Sequence, residues 1–226
     1  MIVIHGGGFA RYNKSDPREV SIANHLAENG YLAMVIDYKL WNKSNPDYNT
    51  FPKNVIDCVT AVKWLRHNAA RFGVDATKIG VIGTSAGANL AGMVAYESPF
   101  QPSILTDVSS KVSVFVDLYG NVDLPNHKKK YPFLNGTRFE QPENYKRASP
   151  LYYVTPSAPP TLIFHGTNDT AVSPKQSASL TKALKKNNVI VSHIEIPGAG
   201  HSFDLTNSGM DLRPELFKFL EAHLKK

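Results

Sequence analysis

The sequence predicts an α/β fold: one domain built on a mostly parallel sheet of about six strands, with helices on both faces. Three observations carry this. Six short runs are apolar throughout rather than alternating, as strands covered on both faces are. Between them lie longer segments whose apolar residues recur near the 3.6 period, several opening on Asp, Ser or Pro and closing on Gly or Asn. A chain of 226 residues, 42% hydrophobic, is long enough to bury one substantial core.

The elements follow in order. "MIVIH" (1–5) is the first strand, and "DPREVSIANHLAENG" (16–30) the first helical run. "YLAMVIDY" (31–38) is a strand, followed by the helical "PKNVIDCVTAVKWLRHNAARFG" (52–73) and the strand "KIGVIG" (78–83). "SAGANLAGMVAYES" (85–98) is helical and "VSVFVDLYG" (112–120) extended. After "TLIFHG" (161–166) come a helix, "PKQSASLTKALKKNN" (174–188), a strand, "IVSHIEIPG" (190–198), and a last helix, "RPELFKFLEAHLKK" (213–226). Strands alternating with helices in this way are βαβ units.

One interval breaks the rhythm. Residues 121–160 hold seven of the fifteen prolines and several aromatics, without long periodicity. An excursion of this length is expected to form a cap or a pocket wall, because its aromatics need a surface to pack on. No repeat, low-complexity tract or second-domain linker interrupts the single domain expected over 1–226.

Composition excludes several classes. No apolar run approaches the ~18 residues of a membrane span. "MIVIHGGGF" has neither a basic n-region nor a cleavage site, so no signal peptide is read in this chain, and the compartment is left open. The one cysteine, Cys58, lies in an apolar-periodic segment and reads as a packing thiol. The net charge of +6 raises nucleic acid as a partner, but the basic residues are scattered. The denser runs "HKKKY" and "ALKKNN" lack interleaved aromatics and read as solvated surface.

The chemistry centres on Gly83-Thr84-Ser85-Ala86-Gly87, which follows "KIGVIG" directly and opens a helix. G-x-S-x-G acquires meaning in this strand–turn–helix context. The turn is expected to hold Ser85 in a strained conformation, with glycine at 83 and 87 removing collisions with strand and helix. Its Oγ then stands at the carboxyl end of the sheet, beside a helix N-terminus that favours negative charge.

A serine hydroxyl needs a base, and the base an orienting acid. Two later strand ends supply them: Asp169 lies three residues past Gly166, and His201 sits on the glycine-rich "GAGHSF" loop. Of eight histidines, His201 alone occupies a turn at the correct end; His165 ends a strand and is expected to bond locally. Asp117, in "FVDLYG", is the rival acid one strand earlier. Oxyanion donors are expected from the His5-Gly6-Gly7-Gly8-Phe9 run after the first strand. Gly7, Gly8 and Ala86 would give backbone N–H groups, and His5 would hold the loop. A phosphate-binding loop is disfavoured, since neither G-x-x-x-x-G-K-[ST] nor G-x-G-x-x-G is present.

"HGGGF", "GTSAGANLA", "HGTNDTAVSP" and "GAGHSF", in this order, resemble α/β-hydrolase esterases of the hormone-sensitive-lipase-like and acetylxylan/feruloyl esterase groups. "DYKL" and "RASPLYYVTPSAPPTLIFHG" are closer to the second group. The resemblance implies the α/β-hydrolase fold and serine-dependent hydrolysis of carboxylic esters, without metal or organic cofactor. It assigns Ser85 as nucleophile, His201 as base and Asp169 as its orienter. The substrate it favours is a small-molecule or polysaccharide-linked ester of acetyl or feruloyl type. Apart from the resemblance, Phe9, Tyr131 and Tyr152 are candidate pocket residues, and for the aromatics of the 121–160 interval core packing is the equal alternative. A neutral imidazole is required, so activity is expected to decline below about pH 6. The alternatives are a kynurenine-formamidase-like amide hydrolase and a non-catalytic receptor on the same fold; neither nucleic acid nor a membrane is expected as partner.

One departure stands out. Members of these groups usually have two further strands before the HGGG strand, and here they are lacking. "YLAMVIDY" (31–38) is therefore expected at a sheet edge, a hazard when apolar and uncovered. It is expected to pair in a homo-oligomer, to be covered by other elements, or to follow residues absent from this sequence.

Overall fold

The computed structural model describes residues 1–42, 44, 50–127 and 129–224. Lys128 of "HKKKY" and the last two residues of the C-terminal run lie outside the described residues. Six strands form one sheet: β1 (Ile2–Ile4), β2 (Met34–Ile36), β3 (Gly80–Thr84), β4 (Val114–Leu118), β5 (Thr161–Gly166) and β6 (Val191–Ile196). Their spatial order is β2-β1-β3-β4-β5-β6, and all neighbouring pairs are parallel. Each expected strand is found: β5 keeps its expected bounds, β3 starts two residues later and runs one further, and the other four are shorter at their ends, where the chain turns away from its neighbour.

Parallel strands need crossovers, and the helical runs provide them. Helices α1 (Pro17–Glu28), α2 (Lys53–His67), α3 (Ala86–Ala95), α4 (Pro142–Arg147), α5 (Lys175–Lys186) and α6 (Arg213–His223) lie between or after the strands. Asp16 caps α1 by accepting from the Arg18 N–H, with Pro17 in the first helical position, where its missing donor costs nothing.

Alternation along the strands builds two cores. Ile2, Ile4, Val81, Phe115 and Ile163 face one side, against Val55, Val59 and Val62 of α2, Leu90 of α3 and Leu180 of α5. Val3, Ile82, Val116, Leu162 and Phe164 face the other, against Ile22 and Leu26 of α1 and Leu216 and Leu220 of α6. The doubly apolar character of the runs thus reflects burial of both faces. Cys58 is buried in the first core, and burial pushes its thiol well above the usual range, as a packing residue requires.

Among the described residues β2 is an edge strand, bonded to β1 alone, as expected for this segment. Met34 and Val35 are half-buried there. Lys14 and Asp37 form an ion pair at its end, and charge at an edge discourages indiscriminate pairing.

The 121–160 interval folds back on the first core. Short helical turns at Pro132–Leu134 and Pro150–Tyr153 flank α4. Tyr131, Phe133, Leu134 and Tyr145 are buried in that core, so most of the interval's aromatics serve packing. Among the described residues no helix is long and apolar enough to cross a membrane.

Candidate active site

β3 delivers Ser85 to the carboxyl end of the sheet. The serine has φ 52° and ψ −116°, a region few non-glycine residues occupy. Its neighbours explain how the turn is tolerated. A β-carbon at Gly83 would lie 2.3 Å from the Gly87 carbonyl oxygen, and one at Gly87 only 2.1 Å from that of Ile4. Only hydrogen fits at either place, so α3 packs directly onto β1 and β3. The Ser85 N–H donates to Leu118 O of β4, anchoring the turn across the sheet.

Two loops meet the serine. His201 Nε2 lies 2.9 Å from Ser85 Oγ, and its Nδ1 lies 2.6 Å from Asp169 Oδ2. Asp169 carries the acceptor-only group, so the imidazole proton belongs on Nδ1, and Nε2 is free to accept from the hydroxyl. The three side chains are thus brought into one hydrogen-bonded row. Asp169 Oδ1 accepts from the N–H groups of Ala171 and Val172 at 2.9 and 2.8 Å. Burial favours the neutral acid, but bonds from His165, His201 and Val172 outweigh it and hold Asp169 well below the usual carboxylate range.

Asp117 does not join this row. It is fully buried at the end of β4, where its Oδ1 accepts from the Gly120 N–H. Burial pushes its carboxyl up to about 6, against the lesser effects of the Gly120 bond and of His165.

The glycine run arches over the serine. Gly7 and Gly8 have φ of 102° and 63°, and the Gly7 carbonyl accepts from Ala10 and Arg11 to close a tight turn. Among the described residues no hydrogen bond occupies the N–H groups of Gly7 and Gly8. Ala86 is the first residue of α3, where helical N–H groups lack internal partners. Gly7, Gly8 and Ser85 line one cleft. His5 stacks on Tyr38 at 4.3 Å and its Nδ1 contacts Gly6 O, while the Tyr38 hydroxyl donates to the carbonyls of His5 and Gly6.

The pocket residues divide. Tyr131 lines the cleft, its hydroxyl accepting from Asn121 Nδ2 and lying 2.9 Å from His127 Nδ1. Phe9 does not line it: the ring is wholly buried between Tyr131 and Phe133, because the turn after Gly8 directs it inward. Tyr152 also lies outside, exposed on the protein surface with its hydroxyl toward Asp123.

Three contributors escaped the sequence reading. His165 does bond locally, to Ser177 Oγ and Val172 O, yet its Nε2 also lies 3.2 Å from Asp169 Oδ2. Both partners of Nε2 are acceptors, so that nitrogen carries the proton and steadies the carboxylate. The Tyr119 ring meets the His201 imidazole edge-on at 4.7 Å, while its hydroxyl donates to Phe203 O. Glu19, buried beneath the serine turn, accepts from Thr84 Oγ1 and pairs with Arg18. The i, i+4 spacing of His165 and Asp169 was the one sequence signal available, and it lies across a turn rather than on a helix.

A family model described as BD-FAE matches residues 1–184. Esterase LipC of Mycobacterium tuberculosis is 30% identical over 219 residues, covering 91% of this chain and 53% of that protein. The chain spans about half the length of the curated relatives it matches. Among solved structures, a truncated carbohydrate esterase from gut microbiota superposes with TM-score 0.87 at 23% identity, covering all of this chain and 85% of the other. The propionate-bound esterase Est2 of Thermogutta terrifontis gives TM-score 0.82 at 23% identity, covering 98% and 82%. The parallel sheet, the serine turn at its carboxyl end and the family match have one reading: the chain belongs to the BD-FAE family and has the α/β-hydrolase fold.

Proposed function

We propose that this chain is a serine-dependent carboxylic ester hydrolase acting through an acyl-enzyme. The observation that carries the reading is the imidazole of His201, within hydrogen-bond distance of both the Ser85 hydroxyl and the Asp169 carboxylate. His201 takes the hydroxyl proton at Nε2 as Oγ attacks the ester carbonyl, and Asp169 stabilises the resulting imidazolium. The developing oxyanion is met by the N–H groups of Gly7, Gly8 and Ala86, worth ~3 kcal/mol each when well aligned. The imidazolium then protonates the departing alcohol, and water attacking with the same base releases the acid.

A short acyl group suits the cleft, which encloses about 150 Å3 and is walled by Tyr131, Asn121 and His127 from the 121–160 interval. Sites for drug-sized ligands enclose ~300 Å3 or more. Acetyl or propionyl esters therefore fit better than long acyl chains, and a polysaccharide-linked alcohol supports itself on the likeness to a carbohydrate esterase. The open side of β2 supports a further part of the reading, self-association of two copies through that edge; sedimentation of the purified chain reports it, and a monomer at high concentration defeats it.

The test of the hydrolase is a panel of p-nitrophenyl acetate, butyrate and octanoate with acetylated xylan, run beside labelling by a fluorophosphonate. Turnover of the short esters and labelling of Ser85 are expected, with both lost in Ser85→Ala. Turnover that survives this substitution would overturn the assignment.

A further inference from the structure

The cleft around Ser85 is ringed by cations. Arg11, Arg18 and Lys129 line it, and no Asp or Glu does so among the described residues. The three are not equivalent. Arg18 is already met by Glu19 at 3.0 Å and by Asp16 at 3.8 Å. Arg11 and Lys129 have no carboxylate partner among the described residues.

Their placement is specific. Arg11 closes the turn begun by Gly7 through its backbone N–H, and its guanidinium carbon lies 5.7 Å from the ring centre of Tyr12, which also lines the cleft. Lys129 comes from the opposite wall, the 121–160 interval, and its Nζ lies 3.9 Å from where a β-carbon on Gly8 would stand. Two charges from distant parts of the chain, without a carboxylate partner among the described residues, therefore border the cleft that the glycine loop lines. Nearby carboxylates do not cancel them. Asp169 is buried behind His201 with its oxygens occupied. Asp123 belongs to a neighbouring groove, beyond the contact between His127 Nε2 and Ala171 O. His127 adds no charge of its own, since burial, with Lys129 nearby, favours its neutral form.

We propose that this cleft selects esters bearing a second, ionised carboxylate, which Arg11 and Lys129 hold beside the scissile bond. The proposal deepens the hydrolase reading and rests on it. Lysine and arginine at a partly exposed rim add attraction that is screened by salt and acts on encounter as well as on binding. The run "HKKKY", a solvated surface by its composition, thereby contributes one residue to substrate choice.

The carboxylate can belong to the acid or to the alcohol of the ester, and the test has an arm for each. Monoethyl succinate is compared with ethyl levulinate, its neutral near-isostere, and 3-acetoxypropanoate with 4-acetoxy-2-butanone. Each kcat/KM is divided by the rate of the same ester with hydroxide, and the charged-to-neutral ratio is taken within one preparation, so that any loss of folded protein cancels. In at least one arm a ratio of about 5 or more is expected at ~0.02 M salt, falling toward 1 at ~0.5 M. The same ratio is expected to collapse in Arg11→Met/Lys129→Met and to persist in Lys129→Arg. A ratio of 1 or less in both arms overturns the proposal, as does a preference that survives the double substitution or is indifferent to salt. If Ser85 is labelled and the neutral esters turn over, that failure leaves the hydrolase reading intact. Absence of both labelling and turnover removes the hydrolase reading and the proposal together.

Discussion

The ends of β4 and β5, adjacent in the sheet, each bury an aspartate, and the two behave oppositely. Asp117 on β4 has one bonded oxygen, accepting from Gly120, and an Oδ2 without a partner among the described residues. Asp169, just past β5, receives two backbone N–H groups and two imidazoles. The first is driven toward its neutral form and the second is held ionised. Burial alone does not decide the charge of a carboxylate; the number of donors aimed at it does. An orienter for His201 must stay an anion across the working pH range, and the β5 turn, whose Ala171 and Val172 N–H groups donate to Asp169, holds one ionised.

The most severe way to break the contrast is Asp169→Asn. The amide would present a donor to Nδ1 and favour the wrong tautomer, so a fall of ~10³–10⁴-fold in kcat/KM is expected, with the fold retained by circular dichroism. A fall of less than tenfold would show that the orienting role lies elsewhere.

Asp117→Asn probes the other acid, through stability rather than rate. A carboxyl raised to about 6 contributes stability that is fully present below its unfolded pKa, near 4, and is lost as pH rises through 6. Across that window the wild type should lose on the order of 2–3 kcal/mol relative to the variant, read from urea unfolding at closely spaced pH values. Asp169 has the opposite sign: its contribution is present above pH 4 and is lost only as acid protonates it, so the two windows separate. A variant whose stability follows the wild-type pH profile would refute the claim for Asp117.

His165→Leu sharpens the comparison by removing one donor from Asp169, together with the bonds of His165 to Ser177 and Val172. A drop of roughly tenfold in the rate of fluorophosphonate labelling is expected, with the acid limb of that rate moved to higher pH, since Asp169, with one donor fewer, directs more of its negative charge at the imidazolium that must lose its proton. A merely structural role would lower the yield of folded protein without moving the limb. The smallest effect belongs to Tyr152→Phe. Its hydroxyl reaches Asp123 outside the cleft, so kcat/KM for small esters should stay within about twofold of wild type.

The local pattern at Gly83-Thr84-Ser85-Ala86-Gly87 was legible because its signal lies in consecutive residues: a strand, a glycine-flanked turn and a helix start. Asp169 and His201 were legible for a related reason, each lying a few residues past a strand whose end faces the same rim. Phe9 was misread because residue type says nothing about direction; the turn at Gly8 sends the ring into the core. Tyr119 and Lys129 were invisible, since each acts on a group more than eighty residues away.

Sequence alone determined the αβ alternation and the doubly buried strands and singled out Ser85, Asp169 and His201 as candidates, because periodicity and turn chemistry are properties of consecutive residues. Tertiary structure decided which of two buried aspartates has its carboxyl raised and which is held low, which aromatics face the cleft and which cations surround it. Those depend on donors and charges brought together from distant segments, and electrostatic energy follows distance in space rather than separation along the chain.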